Sequence, residues 1–443
     1  MAARADAGRS RQRRGLPCVD VARSKYCFSL LSILKDERRV MNQQIKDLKE
    51  LVLELPQAVD SEVAGDIEKE SVFVSPAIDR IVVNDDMTTA RLVLRDHSSS
   101  DEIVDKAKRF LEVMVKQVRG FEIKVFNENV RKDSGPYEAD VNRKLVERGW
   151  LHDYGKGQVA YSGPVLKLAR LVNSKAGDLY AEAFGASDAH FPALVDAETL
   201  HKCGYFDSHP NAVTFVGNMV EDFDAIEEFR LANSCSEGAL LPDQEHVHHD
   251  GMCLNPAACF PCYPSLKGKT FEEGQCYTWM GRVFRYESRN INGLDRLYEF
   301  NVRELVFVGD EDYCRDCRTT ALGTVEELSA YFDLDFQLQT ATDPFFATVS
   351  AAKKFWQAAQ EVKNEIKIPV LNDKGETKQL ACGSINLHGS FFGNNFDIKD
   401  AAGNPVHTGC VGLGIERWVL AAFTQHGFDP DRWPAAVREV IFD

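Results

Sequence analysis

Two residues near the middle of the chain have side chains suited to binding a nucleotide. Arg285 and Glu287 stand two positions apart, and in a β-strand this spacing puts both side chains on one face. Arginine offers a rigid fork of donors for phosphate or carboxylate, and glutamate can accept from the amino group of a base. On its own, such a pair is more often a cross-strand ion pair on the surface than a binding site.

A second candidate is the segment 412–417, Gly-Leu-Gly-Ile-Glu-Arg, which precedes an apolar helix predicted over 418–423. Its two glycines permit close approach to the backbone, and Arg417 at the start of the helix is placed to reach a phosphate. The segment is not a dinucleotide-binding fingerprint, because no βαβ unit follows it. Taken alone, it also fits an ordinary junction between a strand and a helix.

Twelve cysteines supply candidate metal ligands. They are too sparse for a disulfide framework in a chain of 443 residues, so reduced thiols or metal ligands are expected. Cys259 and Cys262 form one Cys-x-x-Cys pair, and Cys314 and Cys317 form another. A zinc ribbon is disfavoured because 51 residues separate the two pairs, against roughly 15–20 in the usual ribbon.

A helix, a strand and a hairpin are the elements that would position these side chains. Pro164 suits the first turn of a helix and Gly185 suits its end, with apolar residues at helical spacing between them. A strand over 190–195 follows, and its proline indicates an edge or interface position. Two antiparallel strands are predicted over 282–287 and 298–308, with Arg285 and Glu287 on the first.

The first 150 residues are predicted to be organised differently. Residues 41–150 are predicted to be a small α+β domain, with helices over 41–55 and 101–119. Its predicted strands are short and cover 72–74, 81–83, 92–94 and 121–126. Residues 1–40 carry ten Lys and Arg against four acids. They are predicted to be a disordered basic tail, with a targeting peptide, a polyanion-binding arm or a natural start at Met41 as alternatives.

The composition of the whole chain excludes several classes of protein. Apolar residues make up 44% and charged residues 27%, which excludes collagen-like and wholly disordered chains. No apolar run approaches the roughly 18–20 residues needed to span a bilayer, so an integral membrane protein is excluded and a cytoplasmic location is expected. Because the net charge is −16, any acidic partner must meet a local basic patch.

In chain order, the helix with its strand, the Phe-Arg-x-Glu hairpin and the Gly-x-Gly-x-x-Arg segment resemble motifs 1, 2 and 3 of class II aminoacyl-tRNA synthetases. The finer resemblance, over about 155–443, is to amino acid:[carrier protein] ligases, which are truncated relatives of the atypical zinc-dependent archaeal seryl-tRNA synthetases. The strings that carry it lie at 203–210 (CGYFDSHP), 254–261 (LNPAACFP), 300–304 (FNVRE), 343–346 (DPFF), 381–388 (ACGSINLH), 407–412 (HTGCVG) and 426–430 (HGFDP).

The resemblance implies an α+β fold: a class II synthetase-like antiparallel sheet flanked by helices, dimeric through motif 1, with a small N-terminal α+β domain. The implied catalytic domain covers 155–443. The implied zinc ligands are Cys259, Glu304 and Cys410, which leave a fourth position open for the α-amino group of the substrate. Phe346 is expected to help wall the amino-acid pocket, although a packing turn fits its segment equally well.

The resemblance also implies an ATP site. Arg285 would hold the α-phosphate and the substrate carboxylate, and Glu287 would accept from the adenine amino group. Phe300 would stack on one face of adenine, with Arg417 opposite and reaching the γ-phosphate, while Mg²⁺ bridges phosphates. Further ATP contacts are implied for Arg296 and for the backbone of Ala381, Cys382 and Gly383.

The implied function is ATP-dependent adenylation of a small amino acid and transfer of the aminoacyl group to the phosphopantetheine thiol of a carrier protein. Lys353 and Lys354, on a helix predicted over 349–366, are one candidate basic patch for that carrier. The ligases compared here are essentially bare catalytic domains, whereas this chain has an additional domain before residue 150. A seryl-tRNA synthetase that charges tRNA therefore stays open as an alternative, as does a non-catalytic paralogue.

Overall fold

The structure is a computed structural model that describes residues 49–95, 101–116, 123–131, 135–236, 238–341, 363–372 and 375–442. Its strands are β1 Lys49–Glu54, β2 Ile78–Val83, β3 Thr89–Leu94, β4 Val125–Asn129, β5 Leu151–Gly155, β6 Gln158–Tyr161, β7 Ser187–Asp188, β8 Leu194–Asp196, β9 Asn218–Met219, β10 Val247–His248, β11 Met252–Leu254, β12 Thr270–Phe271, β13 Gln275–Phe284, β14 Glu299–Gly309, β15 Phe336–Thr340, β16 Lys363–Leu371, β17 Thr377–Gly389, β18 Lys399–Asp400 and β19 His407–Gly414. Its α-helices are α1 Ser61–Glu70, α2 Asp101–Lys116, α3 Val141–Glu147, α4 Gly163–Phe184, α5 Ala197–Lys202, α6 Tyr205–Ser208, α7 Phe223–Cys235, α8 Cys262–Leu266, α9 Glu311–Tyr331, α10 Phe391–Phe396, α11 Ile415–His426 and α12 Ala435–Ile441.

An eight-stranded sheet forms the centre of the molecule, in the order β4-β15-β16-β17-β19-β14-β13-β7. Every neighbouring pair is antiparallel except the last, in which the short β7 runs parallel to β13. The hairpin of β13 and β14 pairs over ten residues, from Gln275 with Val308 to Phe284 with Glu299. This long register places the loop after Phe284 at one end of the sheet.

Alternating side chains of the central strand β14 pack into two separate cores. Leu305 and Phe307 belong to the core on the face covered by helices α4, α9 and α11. Val306 and Val308 belong to a smaller core on the opposite face, together with residues of α8 and α10. The period-two burial follows from the pleat of the strand, and the fold agrees with the predicted α+β sheet flanked by helices.

The helix of the first motif is positioned by local signals. Helix α4 begins with Pro164 in its first turn and ends at Gly185, which adopts φ 58° and donates its backbone N–H to the carbonyl of Tyr180. Proline is tolerated there because its missing donor is unpaired in any helix, and glycine takes the left-handed conformation without strain. The strand predicted over 190–195 is wrong in extent, since only Leu194–Asp196 is a strand and residues 190–193 are not. Pro192 cannot donate to a ladder.

Residues 49–95 build a separate three-stranded antiparallel sheet, in the order β1-β3-β2. Helix α1 from the same range and helix α2, residues 101–116, cover it. The helix predicted over 41–55 is wrong at 49–54, which is strand β1; residues 41–48 lie outside the described part. Leu53 and Leu55 are buried while Val52 is 66% exposed, so the true period here is two, and pairing with β3 decides it.

Other predictions in the first half also change. The strand predicted at 72–74 is wrong, because Ser71–Phe73 is a 3₁₀ turn in which the buried Ser71 hydroxyl accepts from the N–H of Ile81. The strand predicted over 121–126 is wrong at 123–124 and correct at 125–126, since β4 covers Val125–Asn129; residues 121 and 122 lie outside the described part. Strand β4 is an edge strand that pairs with β15 of the large sheet. The predicted boundary near residue 150 stays a prediction, although Val141 and Leu145 pack into the core of that sheet.

The predictions for 343–366 fall mostly outside the described residues. Phe346, Lys353 and Lys354 are among those that the structure does not describe. The end of the predicted helix is wrong, since 363–366 opens strand β16. Within the described ranges, every helix is too short or too polar to cross a membrane.

Candidate active site

A cavity of about 690 Å³ opens on the face of the sheet that carries the smaller core. It collects all the candidate site residues that the structure describes. Its lining includes Cys259, Arg285, Glu287, Arg296, Phe300, Glu304, Ala381, Cys382, Gly383, Cys410 and Arg417. These residues come from the loop before α8, from the β13–β14 hairpin, from strands β17 and β19 and from the first turn of α11.

The cavity wall includes three buried groups that could ligate a metal. A thiolate from Cys259, a carboxylate from Glu304 and a thiolate from Cys410 offer ligand atoms that all lie within 4.8 Å of one another. Sheet register explains the meeting, because Val306 pairs with Cys410 and Glu304 pairs with Gly412. Gly412 makes room for the carboxylate, since a Cβ there would lie 3.0 Å from Glu304 Oε2.

The charges of this trio are unfavourable without a cation. Burial raises the pKa of Glu304 well above its usual range, and the neighbouring Cys410 adds to the shift. The adjacent Cys259 and burial raise the pKa of Cys410. Contact with Cys410 lowers the pKa of Cys259, but burial and Glu304 outweigh it. Three acidic groups so close in a buried site fit a divalent cation, which would hold them deprotonated, and two sulfurs with one oxygen suit zinc.

Polar side chains of β17 support the sulfur of Cys410. The amide Nδ2 of Asn386 donates to Cys410 Sγ at 3.6 Å, and Nε2 of His388 lies 3.6 Å from the same sulfur. The other ring nitrogen of His388 is 3.1 Å from the hydroxyl of Thr408. Such contacts orient a ligand and tune it, which gives Asn386 and His388 a structural place that the sequence left unassigned.

Arg285 lies just past the end of β13 rather than within it. Its Nε donates to the carbonyl of Pro256 at 2.9 Å, and its guanidinium carbon stands 5.4 Å from the centre of the Phe300 ring. Its positive charge also reaches Glu304 and lowers the pKa of that carboxyl, though less than burial raises it. The arginine therefore stands between the aromatic ring and the acidic trio.

Two further arginines, Arg296 and Arg417, line the same cavity. Arg296 Nη1 forms an ion pair with Glu287 at 3.0 Å. Arg417, in the first turn of α11, donates to the carbonyl of Asp295 at 2.7 Å and to that of Ala381 at 2.8 Å. Burial lowers the pKa of Arg417, although arginine stays charged at neutral pH. The two arginines are thus suited to a polyanion, while the trio is suited to a metal ion.

Sequence reasoning missed a row of charged side chains on β16. Lys363, Glu365 and Lys367 alternate along the strand and line the cavity. Glu365 pairs with Lys367 at 2.6 Å and with Lys363 at 3.4 Å. The signal was the Lys-x-Glu-x-Lys alternation typical of a strand, which the predicted helix over 349–366 concealed.

A buried network behind the cavity was also missed. The carboxylate of Glu416 accepts from the backbone N–H of Asn301 at 3.0 Å and from its side-chain amide at 2.7 Å. Tyr161 donates to the same carboxylate at 3.2 Å. These bonds tie the start of α11 to β14, so Arg417 and Phe300 keep a fixed relation. No local pattern in the sequence marks such a pairing.

The second cysteine pair lies elsewhere. Cys314 and Cys317 belong to α9 and are buried in the core that this helix forms with the sheet, on the face opposite to Cys259 and Cys262. This arrangement rules out a four-cysteine ribbon. Within the described ranges, the trio of Cys259, Glu304 and Cys410 is the one group of His, Cys, Asp and Glu side chains close enough to hold a metal.

Comparisons with known proteins agree with this geometry, although no family model matches the chain. The chain is 32% identical over 320 residues to amino acid–[acyl-carrier-protein] ligase 1 of Bradyrhizobium diazoefficiens, which covers 70% of this chain and 92% of that protein. It is 33% identical over 320 residues to ligase 2 of the same organism, covering 70% and 90%. It is 26% identical over 420 residues to the type-2 serine–tRNA ligase of Methanopyrus kandleri, covering 90% and 79%.

Solved structures share the fold. The M. kandleri SerRS in complex with A. aeolicus tRNASec superposes with a TM-score of 0.64 at 24% identity, covering 89% of this chain and 77% of that one. The cytoplasmic serine–tRNA ligase of Naegleria fowleri in complex with AMP gives a TM-score of 0.55 at 12% identity, covering 77% and 71%. The large sheet and its helices are therefore those of the synthetases that the sequence resembles.

Proposed function

Because the chain belongs to the family of amino acid–[acyl-carrier-protein] ligases, we propose that it activates a small amino acid with ATP and transfers the aminoacyl group to the phosphopantetheine thiol of a carrier protein. The observation that carries the proposal is one cavity lined by two chemically distinct groups of side chains. The acidic trio is one group and Arg296 and Arg417 are the other, and the charge of Arg285 acts on both Glu304 and Arg417.

Activation joins the amino acid to AMP. A carboxylate oxygen of the amino acid attacks the α-phosphorus of ATP, the bond to the β-phosphate oxygen breaks, and pyrophosphate leaves. Arg285 holds the substrate carboxylate and the α-phosphate in line, and its charge offsets the negative charge that builds at the reacting phosphorus. Its contact with the carbonyl of Pro256 fixes the side chain for this role.

The nucleotide occupies the part of the cavity lined by these arginines. Adenine stacks on Phe300 and Glu287 accepts from its amino group, with Arg417 on the opposite face of the ring and in reach of the γ-phosphate. Arg296 and the backbone of 381–383 add contacts, and the Mg²⁺ that accompanies ATP would offset the charge of its phosphates. Arg417 is held by two carbonyls at 2.7 and 2.8 Å, which supports a preset orientation.

Cys259, Glu304 and Cys410 are the residues that would hold zinc. When bound, zinc would supply a Lewis-acid position for the α-amino group of the substrate. The raised pKa values of Glu304 and Cys410 support a cation there, because a divalent ion offsets the repulsion among the three acidic groups. We expect the substrate to be an amino acid with a small side chain. Phe346 stays a predicted part of the wall of the pocket that holds that side chain.

Transfer completes the reaction. The sulfur of phosphopantetheine attacks the carbonyl carbon of the aminoacyl adenylate, the bond to the phosphate oxygen breaks, and AMP leaves as the thioester forms. The thiol proton passes to solvent or to the departing phosphate. An acidic carrier would need a basic surface, for which Lys353 and Lys354 stay a prediction.

Charging of tRNA is the second candidate, and one observation favours it. The alignment with the M. kandleri serine–tRNA ligase covers 90% of this chain, so it extends well into the first 150 residues. The alignments with the carrier-protein ligases cover 70% of the chain. The N-terminal domain is thus aligned with the protein whose name specifies tRNA.

The quaternary state and location are part of the proposal. We expect a homodimer formed through α4 and the strands that follow it, and an enzyme that works in the cytoplasm. Sedimentation equilibrium of the full chain tests the first point, and a monomer at micromolar concentration would contradict it.

One experiment tests the activity. Amino-acid-dependent ATP–pyrophosphate exchange is measured with each amino acid in turn, and acceptor assays with holo-carrier protein and with tRNA follow for the amino acid that works. Exchange followed by carrier loading supports the main proposal. Charging of tRNA without carrier loading favours the second candidate, and no exchange with any amino acid refutes both.

A further inference from the structure

The loop after β13 contacts both the cavity and the N-terminal domain. Residues 287–290 form a turn closed by the N–H of Asn290 donating to the carbonyl of Glu287 at 2.9 Å. Glu287 lines the cavity. Ser288 adopts φ 51°, a left-handed conformation that a residue other than glycine holds only when its surroundings impose it.

The surroundings that impose it come from the N-terminal three-stranded domain. Arg289 Nη2 donates to the backbone carbonyls of Ile78 at 2.7 Å and of Asp79 at 3.0 Å. Asn290 Nδ2 donates to the carbonyl of Lys69 at 2.8 Å. Hydrogen bonds from a charged guanidinium to two carbonyls are among the stronger ones in proteins, so this side of the turn is held firmly.

The same domain supplies part of the cavity wall. Lys69, Glu70 and Phe73 line the cavity together with Glu287. The ring of Phe73 meets that of Tyr286 edge to face, with centroids 6.4 Å apart. Burial raises the pKa of Glu70, and the charge of Glu287 adds to that shift.

We propose that the N-terminal domain positions Glu287 for recognition of adenine, with Arg289 and Asn290 as the positioning residues. Neither residue touches the nucleotide. They fix the turn that begins at Glu287, the residue that accepts from the adenine amino group. The N-terminal domain, which takes no part in the chemical step, therefore helps to select adenine over other bases. This role rests on the proposed function, because it assumes that Glu287 reads adenine in the activation reaction.

The test compares nucleotides in the exchange assay with the full chain. Inosine triphosphate has a carbonyl in place of the amino group, so the ratio of kcat/KM for ATP over inosine triphosphate reports on Glu287. We expect Arg289→Ala to lower this ratio about ten-fold or more, mainly through a higher KM for ATP, and Arg289→Lys to restore part of it. The KM for the amino acid should stay unchanged.

The matched control is Arg91→Ala, which removes an arginine of the same domain that faces solvent and pairs with Glu50 at 3.7 Å. It should leave the ratio unchanged. The N-terminal domain has its own core, so losing Arg289 should not unfold it, and amide protection in β2 and β3 checks this.

A second readout needs no activity. Hydrogen exchange at the amides of 288–290 should speed up in Arg289→Ala but not in Arg91→Ala. If the wild-type chain shows no exchange of pyrophosphate, the proposed function fails and hydrogen exchange still tests the contact. A wild-type nucleotide ratio and wild-type protection in Arg289→Ala would overturn the positioning role while leaving the proposed function intact.

Discussion

Replacing Glu304 with glutamine should change the stability of the metal-free protein and its affinity for zinc in opposite directions. The substitution keeps the shape of the side chain and removes the negative charge. Glu304 is only 4% exposed and lies beside the thiols of Cys259 and Cys410. We expect the metal-free variant to be more stable than the parent and the variant to bind zinc far more weakly.

The magnitudes follow from burial and from ligand count. The raised pKa of Glu304 means that folding of the metal-free protein at neutral pH requires this carboxyl to take up a proton. Glutamine needs no proton, so the variant should stabilise the metal-free fold by about 1–2 kcal/mol. Zinc sites with four protein ligands are worth about 10–16 kcal/mol, so one ligand of such a site contributes about 3–4 kcal/mol. Losing it should weaken zinc binding roughly 10²–10³-fold.

The assay combines zinc titration against a competing chelator with thermal unfolding of the metal-free and zinc-loaded proteins. In the parent, zinc should raise Tm by the linkage of binding to folding; in Glu304→Gln this increase should be small. The matched control is Glu299→Gln on the same strand. Glu299 pairs with Arg282 away from the trio, and its variant should behave as the parent does.

We expect the stability of the metal-free protein to rise and the zinc affinity to fall, whereas a general folding defect would lower both. A metal-free Glu304→Gln that unfolds more easily than the parent, with unchanged zinc affinity, would refute the reasoning. It would mean that the carboxylate stabilises the sheet as an ordinary buried polar group and that the two thiols bind metal without it.

Three further predictions concern neighbouring residues. Gly412→Ala should push the Glu304 carboxylate, which lies 3.0 Å from the added Cβ, and weaken zinc binding about ten-fold in the chelator assay; unchanged affinity would contradict this. Glu416→Ala should lower the free energy of unfolding by about 2–4 kcal/mol in urea, because it leaves two donors of Asn301 unpaired; a loss below 1 kcal/mol, about the net worth of one hydrogen bond, would contradict it. Burial lowers the pKa of His426, so the unfolded chain binds its proton first and stability should fall as pH drops through about 6.5; His426→Asn should flatten that curve of unfolding midpoint against pH, and parallel curves would count against it.

Elements with local start and stop signals were predictable from the sequence. Proline and glycine at the two ends of α4 mark its limits, and the apolar spacing between them fits one period only. The helix predicted over 41–55 is wrong at 49–54 because the apolar positions there fit both a helix and a strand. Only pairing with β3, 35 or more residues away along the chain, selects the strand, and no local rule contains that contact.

The site shows the same division between local and distant information. Arg285 and Arg417 stand in short motifs and could be chosen from sequence by residue type. The trio could not, since its members are 45 and 106 residues apart and meet through the register of β14 with β19. The family resemblance supplied what spacing could not. The charged row at 363–367 was missed because its strand was predicted to be a helix.

The two kinds of relative align with different parts of the chain, and this difference bears on whether the acceptor is a carrier protein or a tRNA. Most of the described residues that line the cavity lie after residue 155, and both candidates share the proposed activation step, so activation alone cannot distinguish a carrier thiol from a tRNA. What distinguishes them must lie around the cavity, where the acceptor enters. There the N-terminal domain contributes Lys69, Glu70 and Phe73 to the wall. A thiol at the end of a long flexible arm can reach past such a wall, whereas a tRNA end brings phosphates against whatever the wall presents. Because Glu70 is buried close to Glu287, replacing it with lysine should change carrier loading only as much as it changes pyrophosphate exchange. It should change tRNA charging, if it occurs, by more than that, so the ratio of the two acceptor rates in this single variant identifies which acceptor the domain serves.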